Sequence, residues 1–270
     1  MIQILFIMIK RKTEFFNLRI IFNNLSIKTM RNLLPFILFV PILIYSQNDI
    51  NYDNLYPKSD VLIKNHNYWT SKYYPERILE FKKTPITKGG IVFLGNSITE
   101  GGEDWGKRIN MEGVSNRGIS GDITDGVLER LKEIIFYKPK KVFILIGHND
   151  LWSFRIKSGV PSIKYIEKNI LKIVETINIG SPKTIVYVQS ILPTRHFTRD
   201  GFFEKSINKI NSFLIKKQNK WNFKYIDLHS FFVDSEGFLK SELTYDGGHL
   251  NDNGYDVWSD IIKSVISNSR

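Results

Sequence analysis

The sequence of 270 residues contains no cysteine. This absence excludes disulfide bridges, thiolate metal sites, iron–sulfur clusters, a cysteine nucleophile and a lipid anchor on an N-terminal cysteine. It does not exclude export, because a domain of this size buries a core without covalent bridges. The fractions of hydrophobic (42%), charged (24%) and aromatic (13%) residues are those of a soluble globular protein. They exclude collagen, coiled coil, polytopic membrane protein and general disorder.

Long basic runs are also missing from the body of the chain, although the net charge is +11. Residues 1–46 hold six basic side chains and one acidic one, Glu14, so they carry +5 and leave +6 for the remainder, where acids and bases are interspersed. A modest positive charge favours anionic surroundings such as acidic glycans or lipid head groups. No nucleic-acid recognition motif accompanies it, and we expect no nucleic-acid partner.

The N-terminal 46 residues are predicted to be an extension and a signal peptide, outside the folded domain. After Met30 comes an apolar run over 33–45 that is shorter than the ~20 residues of a bilayer span and holds two prolines. A basic start, a short apolar run and a small residue, Ser46, are typical of a secretory signal peptide, with cleavage expected before Gln47. The protein is therefore predicted to be secreted or periplasmic, with no membrane span left after cleavage. An uncleaved membrane anchor is the alternative, and the choice between Met1 and Met30 as the start stays open.

Residues 47–88 are predicted to be an irregular lead-in that packs on the main domain, with one helix over 75–83. Six large aromatic side chains lie between Tyr52 and Tyr74. These side chains suit a groove within the chain and an interface between chains equally well. The sequence therefore leaves the oligomeric state unknown.

Short apolar runs alternate with helical periodicity from residue 89 to the end. Continuous apolar runs, which are typical of strands buried on both faces, cover 91–94, 142–146, 184–188 and 223–226, and a further strand is expected near 114–117. Helices are expected over 125–136, 163–179, 204–218 and 255–266. This alternation predicts one α/β domain over 89–270, with helices on both faces of a parallel sheet and the strand-end loops at one edge.

The expected strand-end loops and the C-terminal region carry polar groups suited to acyl chemistry. Ser97 follows the first strand, where a nucleophile is exposed beside outward N–H groups, although a helix N-cap also uses serine. Gly121 follows the second strand and permits close backbone approach, or only a tight turn. Asn149 follows the third strand and offers amide donors, or caps a helix. Asp246 precedes His249 by three residues and can orient the ring of a general base, unless the segment is only a surface turn.

Four segments occur in this order: Gly95-Asn96-Ser97, Gly121, Gly147-His148-Asn149-Asp150 and Asp246-Gly247-Gly248-His249. Together they resemble the SGNH hydrolases, also called GDSL-type esterases and lipases. The likeness runs from about Tyr74 to the end of the chain. It is most similar to the branch that contains platelet-activating-factor acetylhydrolase catalytic subunits and sialate O-acetylesterase-like proteins. The resemblance implies a three-layer α/β/α fold with a doubly wound, mostly five-stranded parallel sheet of the flavodoxin-like type.

The resemblance also implies a role for each matching residue. Ser97 is expected to be the nucleophile, His249 its base and Asp246 the group that orients the histidine. The oxyanion hole is expected to consist of the Gly121 N–H, the Asn149 side-chain amide and the Ser97 N–H. The implied chemistry is acyl transfer through an acyl-serine, with no metal and no cofactor.

Two residues depart from the family pattern. Asn96 replaces the usual aspartate, which is outside the triad, and His148 stands where a small or β-branched residue is more usual. His148, Trp152 and Arg195 are candidate substrate-binding residues because they follow the third and fourth strands, with packing as the alternative for the two ring-bearing side chains. A metal site built from the other histidines, such as His229, is disfavoured.

The sequence thus predicts a secreted serine esterase that hydrolyses short-chain esters, chiefly acetyl, on carbohydrates or other small molecules. Export, the modest positive charge and the resemblance favour this interpretation. A lipid or lysophospholipid esterase is one alternative. An O-acyltransferase that uses the same triad is another, and a non-catalytic glycan-binding module is a third. Neither the natural ester nor the position of its acyl group can be read from the sequence.

Overall fold

Short runs of branched and aromatic residues form a five-stranded parallel sheet in the computed structural model, which describes residues 52–195 and 200–268. The strands are β1 (Ile91–Gly95), β2 (Val114–Gly118), β3 (Lys141–Leu145), β4 (Ile185–Gln189) and β5 (Lys224–Ile226). They lie in the order β2-β1-β3-β4-β5, which is that of doubly wound, flavodoxin-like sheets. The predicted strands and fold class are confirmed. The predicted extension and signal peptide over residues 1–46 lie outside the described residues.

Ten α-helices, several of a single turn, connect and cover the strands within the described ranges. They are α1 (Tyr68–Lys83), α2 (Ser97–Glu100), α3 (Trp105–Ile109), α4 (Thr124–Glu129), α5 (Leu131–Tyr137), α6 (His148–Arg155), α7 (Ile163–Gly180), α8 (Phe202–Trp221), α9 (His229–Phe232) and α10 (Asp252–Ser267). Of these, α3, α6 and α9 were not predicted. Among residues 52–195 and 200–268, no helix combines the length and the apolarity that a bilayer crossing requires.

The two faces of the sheet are buried against different helix layers. Val92 and Leu94 of β1 belong to one apolar cluster, with residues of α7 and α8, and Ile91 and Phe93 belong to the other, with residues of α10. Successive side chains of a strand point to opposite faces, so a strand covered on both sides needs apolar residues throughout. This is why the strands appear in the sequence as continuous apolar runs.

One helix predicted over 125–136 is two helices, α4 and α5, separated at Arg130. The Arg130 backbone leaves the helical region (φ −111°, ψ 19°), and its N–H bonds the Val127 carbonyl three residues back. The Arg130 side chain is buried and donates to groups at the ends of β1 and β2. The helix therefore breaks where a buried guanidinium is anchored under the strand ends.

The lead-in helix α1 begins seven residues earlier than predicted. Asn67 caps it, because its side chain accepts a hydrogen bond from the Thr70 N–H at 2.8 Å, and Pro75 lies in its interior. The buried face of α1 packs with Ile119, which directly follows β2. The lead-in thus contacts the sheet edge at which the strand-end loops meet.

The sheet order brings the loops after β1, β2 and β3 together. From β1 the chain crosses to β2 on one side and then to β3 on the other. Ligands of doubly wound sheets bind outside the carboxyl ends of the strands where the order reverses in this way. Ser97, Gly121 and Asn149 all follow these three strands within four residues.

Candidate active site

Ser97 is the first residue of α2, directly beyond the carboxyl end of β1. The cap of this helix is Asn96, whose side-chain oxygen accepts from the Ile98 N–H at 3.1 Å. Asn96 is 2% exposed. The alternative that Ser97 is itself the helix cap is therefore wrong, and the Ser97 hydroxyl is available for another partner.

That partner is the ring of His249, from the loop before α10. Ser97 Oγ lies 3.0 Å from His249 Nε2, and His249 Nδ1 lies 2.7 Å from Asp246 Oδ2. A carboxylate only accepts hydrogen bonds, so Nδ1 carries the proton and Nε2 is left to accept from the serine hydroxyl. The structure thus brings Ser97, His249 and Asp246 into one hydrogen-bonded series.

Backbone donors hold Asp246 as a carboxylate. Its Oδ1 accepts from the N–H groups of Gly248 at 2.8 Å and His249 at 2.7 Å. Partial burial would raise the pKa of Asp246, but these bonds and the bond from the His249 ring outweigh it and lower the pKa to about 2. Asp246 is therefore ionised across the neutral range and orients the ring.

Gly121 lies in the loop after β2, in a conformation that favours glycine. Its φ is +76°, and a Cβ at this position would lie 2.3 Å from Thr70 Oγ1 of α1. A side chain would both strain the backbone and collide with α1. This explains a glycine here in physical terms, beyond the tight turn that the sequence left open.

Asn149 lies on α6, just beyond β3, and its side chain reaches the loop after β2. One hydrogen of its amide bonds the Asp122 carbonyl at 2.9 Å. A side-chain amide has two N–H donors, and Asn149 also lines a cavity that contains Ser97. The loops after β2 and β3 are therefore coupled beside the Ser97 hydroxyl.

A buried ionic cluster supports the loop after β2. Asp122 is fully buried and accepts from Arg130 Nε at 3.1 Å and Nη2 at 2.9 Å, and it lies 3.0 Å from His66 Nε2. Arg130 also donates to the carbonyls of Arg117 at 2.7 Å and Gly95 at 2.9 Å. A single guanidinium thus joins the ends of β1 and β2 to the residue that follows Gly121.

Asp150, the neighbour of Asn149, is a second buried carboxylate. It accepts from the Thr124 N–H at 3.1 Å and from Thr124 Oγ1 at 2.5 Å. Burial raises the pKa of Asp150 to about 7, and the two bonds from Thr124 only partly oppose this rise. The carboxyl therefore titrates in the neutral range while it joins α6 to the start of α4.

Two cavities of different character meet at Ser97 and His249. The first is about 630 Å³, and besides Ser97 and His249 its lining includes the polar residues Arg77, Glu100, Glu103, Asn116, Ser120 and Tyr245. The second is about 300 Å³ and more apolar, and its lining includes Ile98, His148, Asn149, Trp152 and Gly248. An ester bound at Ser97 has room for a different group on each side.

Two of the three candidate substrate-binding residues lie in this region. His148 and Trp152 line the smaller cavity, and both rings also stack on Phe203, with centroid separations of 5.7 and 5.8 Å. The Arg195 side chain is directed elsewhere, although its backbone N–H bonds the Gly247 carbonyl at 2.7 Å. Its guanidinium donates to the Leu239 carbonyl and to Asp234, both at 2.5 Å, and in the described ranges it is not among the residues that line either cavity. Through Arg195, the described start of the loop after β4 contacts residues 234–239, which the sequence does not reveal.

Several residues of the site have no signal in the sequence. Glu100, Arg130 and His66 find their partners only in the folded chain, at separations of 8 to 56 residues for the bonds described.

His229 begins α9, and burial lowers its pKa. Within residues 52–195 and 200–268, no cluster of histidine and acidic side chains suits a metal ion.

A serine, histidine and aspartate at the switch point of a doubly wound sheet is the arrangement of serine acyl hydrolases. Residues 93–257 match the GDSL-like lipase/acylhydrolase family. The match covers more than half of the chain, which therefore belongs to this family, also known as the SGNH hydrolases. Membership implies ester hydrolysis.

The chain is also similar to named relatives and to solved structures. Over 193 residues, the chain is 32% identical to an N-acylneuraminate cytidylyltransferase from Escherichia coli. The matched region covers 70% of this chain and only 43% of that protein. It is 26% identical over 171 residues to platelet-activating factor acetylhydrolase IB subunit alpha2 of Rattus norvegicus, covering 61% of this chain and 70% of that one. The crystal structure of a GDSL-like lipase from Bacteroides thetaiotaomicron is similar at a TM-score of 0.61 and 25% identity, over 73% of this chain and 98% of that one.

Proposed function

We propose that this protein is a serine esterase that removes short acyl groups, chiefly acetyl, from acylated carbohydrates. The observation that carries the proposal is the series from Ser97 Oγ to His249 and on to Asp246, with separations of 3.0 and 2.7 Å. Nucleophile, base and orienting carboxylate are then within hydrogen-bond reach of one another, as acyl transfer through serine requires.

The first half of the reaction forms an acyl-serine. His249 Nε2 takes the Ser97 hydroxyl proton while Oγ attacks the ester carbonyl carbon, and Asp246 stabilises the imidazolium that results. His249 then gives the proton to the departing alcohol as the carbon–oxygen bond of the ester breaks. In the second half, water loses its proton to His249 and attacks the acyl-serine, which releases the acid and restores the hydroxyl.

The tetrahedral intermediates carry a negative oxygen that needs donors. In this proposal the donors are the N–H groups of Ser97 and Gly121 and the second N–H of the Asn149 amide. Asn149 and Gly121 are held in place by contacts with Asp122 and Thr70. Pre-positioned donors cost no reorganisation when charge develops, which makes them one of the largest contributions to catalysis.

The substrate class is supported by the two cavities and by the relatives. The larger cavity has polar groups that suit a hydroxylated alcohol, and the smaller one has the apolar walls that suit an acyl group. One relative is named a platelet-activating factor acetylhydrolase, and another is a cytidylyltransferase named for N-acylneuraminate, a sugar acid. A small acyl group on a sugar fits these observations together.

One observation favours a second candidate, an esterase for lipids or lysophospholipids. The smaller cavity, at about 300 Å³ and with Ile98 and Trp152 in its wall, has more room than an acetyl group needs. An O-acyltransferase with the same triad differs only in the group that accepts the acyl, so release of the first alcohol would be slow until an acceptor alcohol is added, and the acyl group would then leave as a new ester and not as free acid.

Ester hydrolysis by the purified protein tests the proposal, with p-nitrophenyl acetate, butyrate and octanoate as substrates. We expect the highest kcat/KM on acetate, loss of activity in Ser97→Ala, and no change in Ser267→Ala, which removes an exposed serine hydroxyl of α10. Release of acetate from O-acetylated sugars would then identify the alcohol. A preference for octanoate would favour the lipid esterase, and activity that survives Ser97→Ala would overturn the proposal.

Export is a separate part of the proposal. It rests on the basic, apolar and small residues over 30–46. Intact-mass measurement of the protein recovered from outside the cytoplasm tests it. A mature chain that begins at Gln47 is the expected result, and a full-length chain held in the membrane fraction would favour an N-terminal anchor.

A further inference from the structure

Glu100 is the third residue after Ser97 in α2, and its carboxylate joins three parts of the chain. Oε2 accepts from the Ser120 N–H at 2.6 Å and from Ser120 Oγ at 2.7 Å. Oε1 accepts from the Tyr73 hydroxyl at 2.5 Å and lies 3.1 Å from Arg77 Nε. The side chain is only 17% exposed, so these bonds are shielded from water.

The bond to Ser120 places the oxyanion loop relative to the nucleophile. Ser120 immediately precedes Gly121, whose N–H is a proposed oxyanion donor, and Glu100 shares a single helical turn with Ser97. Asn116 reinforces the junction, because its side chain donates to the Glu100 carbonyl at 2.9 Å and accepts from the Gly118 N–H at 2.9 Å. Serine and donor loop are thereby fixed to one another through one carboxylate.

Glu100 is itself held by α1, which lies outside the region matched by the family. Tyr73 and Arg77 belong to α1, whereas the family match begins at residue 93. Thr70 of the same helix contacts the Gly121 carbonyl, with 3.4 Å between the oxygens. Burial, together with the bond to Glu100, raises the pKa of Tyr73 to about 12, so the hydroxyl remains a donor at neutral pH.

We propose that Glu100 is a positioning residue for acyl transfer, and that Tyr73 and Arg77 of the lead-in helix hold it so that Ser120 and Gly121 present the oxyanion donor to Ser97. The proposal rests on the proposed function, since it assigns a support to that same site. Glu100 lines the larger cavity, but both of its oxygens are already engaged by donors of the protein. The role therefore runs through Ser120 and does not require contact with the substrate.

The expected kinetic signature is a loss in kcat with little change in KM. Glutamine at position 100 keeps the size of the side chain but turns an NH₂ group towards donors, so the loop must shift. A displacement of about 1 Å at a reacting group costs up to about 10²-fold in rate. We expect Glu100→Gln to lower kcat on p-nitrophenyl acetate by about 10- to 100-fold, with KM within about threefold.

Tyr73→Phe and Tyr68→Phe form a matched pair that keeps the fold. Both remove one hydroxyl from α1, but Tyr68 is exposed and has Lys72 over its ring, whereas Tyr73 bonds Glu100. We expect Tyr73→Phe to lower kcat by about three- to tenfold, less than the full value of one hydrogen bond to a charged group, because Arg77 and Ser120 still hold the carboxylate. Tyr68→Phe is expected to leave kcat unchanged.

An alkylboronic acid separates positioning from simple loss of folded protein. It forms a tetrahedral adduct with a serine hydroxyl, and the inhibition constant of such an analogue follows transition-state binding. We expect the inhibition constant to rise in Glu100→Gln and Tyr73→Phe by about the factor by which kcat/KM falls. The values of kcat are normalised to the number of active sites, which is titrated with a fluorophosphonate. A variant that is only partly folded would give a lower active-site count and an unchanged constant, which would overturn the proposal.

Three results distinguish failure of this inference from failure of the proposed function. Wild-type activity that is lost in Ser97→Ala, combined with full kcat and unchanged boronate inhibition in both Glu100→Gln and Tyr73→Phe, contradicts the positioning role alone. A rise in KM at constant kcat also contradicts it, because Glu100 would then bind substrate directly. Absence of Ser97-dependent activity in the wild type contradicts the proposed function first.

Discussion

The loop that carries His249 and the loop that carries Gly121 both lie beside Ser97, but they differ in exposure and in the bonds that hold them. His249 and Asp246 are 40% and 35% exposed, and their loop is fixed by the Thr244 hydroxyl, which bonds the His249 carbonyl, and by the Thr194 hydroxyl and the Arg195 N–H, which bond the Gly247 carbonyl. The loop after β2 is buried and fixed by Asp122, whose partners Arg130 and His66 are 8 and 56 residues away. One half of the site is partly exposed and held by hydrogen bonds of backbone and hydroxyl groups, and the other is held by a buried ionic cluster that joins distant parts of the chain.

This difference matches the different roles of the two loops in the proposed reaction. The histidine loop needs water access and a mobile proton, and the Asp246 carboxylate aims its one ring. The oxyanion loop must already be in place when negative charge develops, which requires donors that do not reorganise. Substitutions in the first loop should therefore reduce activity and spare stability, and substitutions in the second should reduce both.

The largest effect is expected for Asp246→Asn. The change removes the carboxylate that fixes the His249 tautomer, and loss of that group in a serine triad costs about 10⁴-fold in kcat. Because Asp246 is partly exposed, the free energy of unfolding should change by about 1 kcal/mol or less. Steady-state kinetics and urea unfolding measure the two quantities. A large loss of stability with kcat retained would break the comparison.

Next in size is the destabilisation expected for Arg130→Met. The variant leaves the Asp122 carboxylate buried without its guanidinium, and breaking a buried ion pair in this way costs about 3–5 kcal/mol. Urea unfolding followed by circular dichroism gives the value. Lys263→Met is the matched control, because it breaks an exposed pair with Asp260 and should cost less than about 1 kcal/mol. Equal effects in the two variants would contradict the structural role of the buried cluster.

A pH-dependent effect follows for Asp150→Asn. In the unfolded chain Asp150 loses its proton near its ordinary pKa of 3.8, but in the folded protein only near 7. Between these values the unfolded state binds fewer protons, so wild-type stability falls as pH rises, by roughly 4 kcal/mol from this group at most. Asparagine does not titrate. The unfolding free energy of the variant should therefore improve relative to wild type from pH 4.5 to pH 8.

Urea unfolding at pH 4.5, 6 and 8 gives the two curves for Asp150. Parallel curves for wild type and variant would show that burial of this carboxyl does not control its ionisation. A variant that loses stability relative to wild type as pH rises would have the wrong sign and would contradict the account as well.

The smallest effect is expected at Tyr245, which stacks on His249 with a centroid separation of 5.9 Å and is 70% exposed. An aromatic pair contributes about 0.5–1.5 kcal/mol, so Tyr245→Ala should lower kcat by about two- to tenfold. Tyr245→Phe keeps the ring and should match the wild type. Kinetics on p-nitrophenyl acetate provide the check. A loss of kcat above 100-fold in Tyr245→Ala would mean that Tyr245 does more than support the His249 ring by stacking.

The comparison also explains what the sequence could predict. The sheet could be predicted because strands covered on both faces need continuous apolar runs, and Asp246 and His249 could be paired because they are three residues apart. The break at Arg130 could not be predicted, because it follows from a guanidinium that bonds two strand ends. Arg195 was expected near the substrate from its place after β4, but its partners at Asp234 and Leu239 depend on a loop path that no local pattern encodes.

The central claim is that Ser97 forms the covalent intermediate. Labelling of the purified protein with a fluorophosphonate, followed by digestion and mass spectrometry, tests it most directly, because such reagents phosphonylate a serine that a neighbouring base activates. The account predicts one adduct per chain, on the peptide that contains Ser97, and its loss in His249→Ala. An adduct on another serine, or no adduct in a protein that hydrolyses p-nitrophenyl acetate, would contradict it.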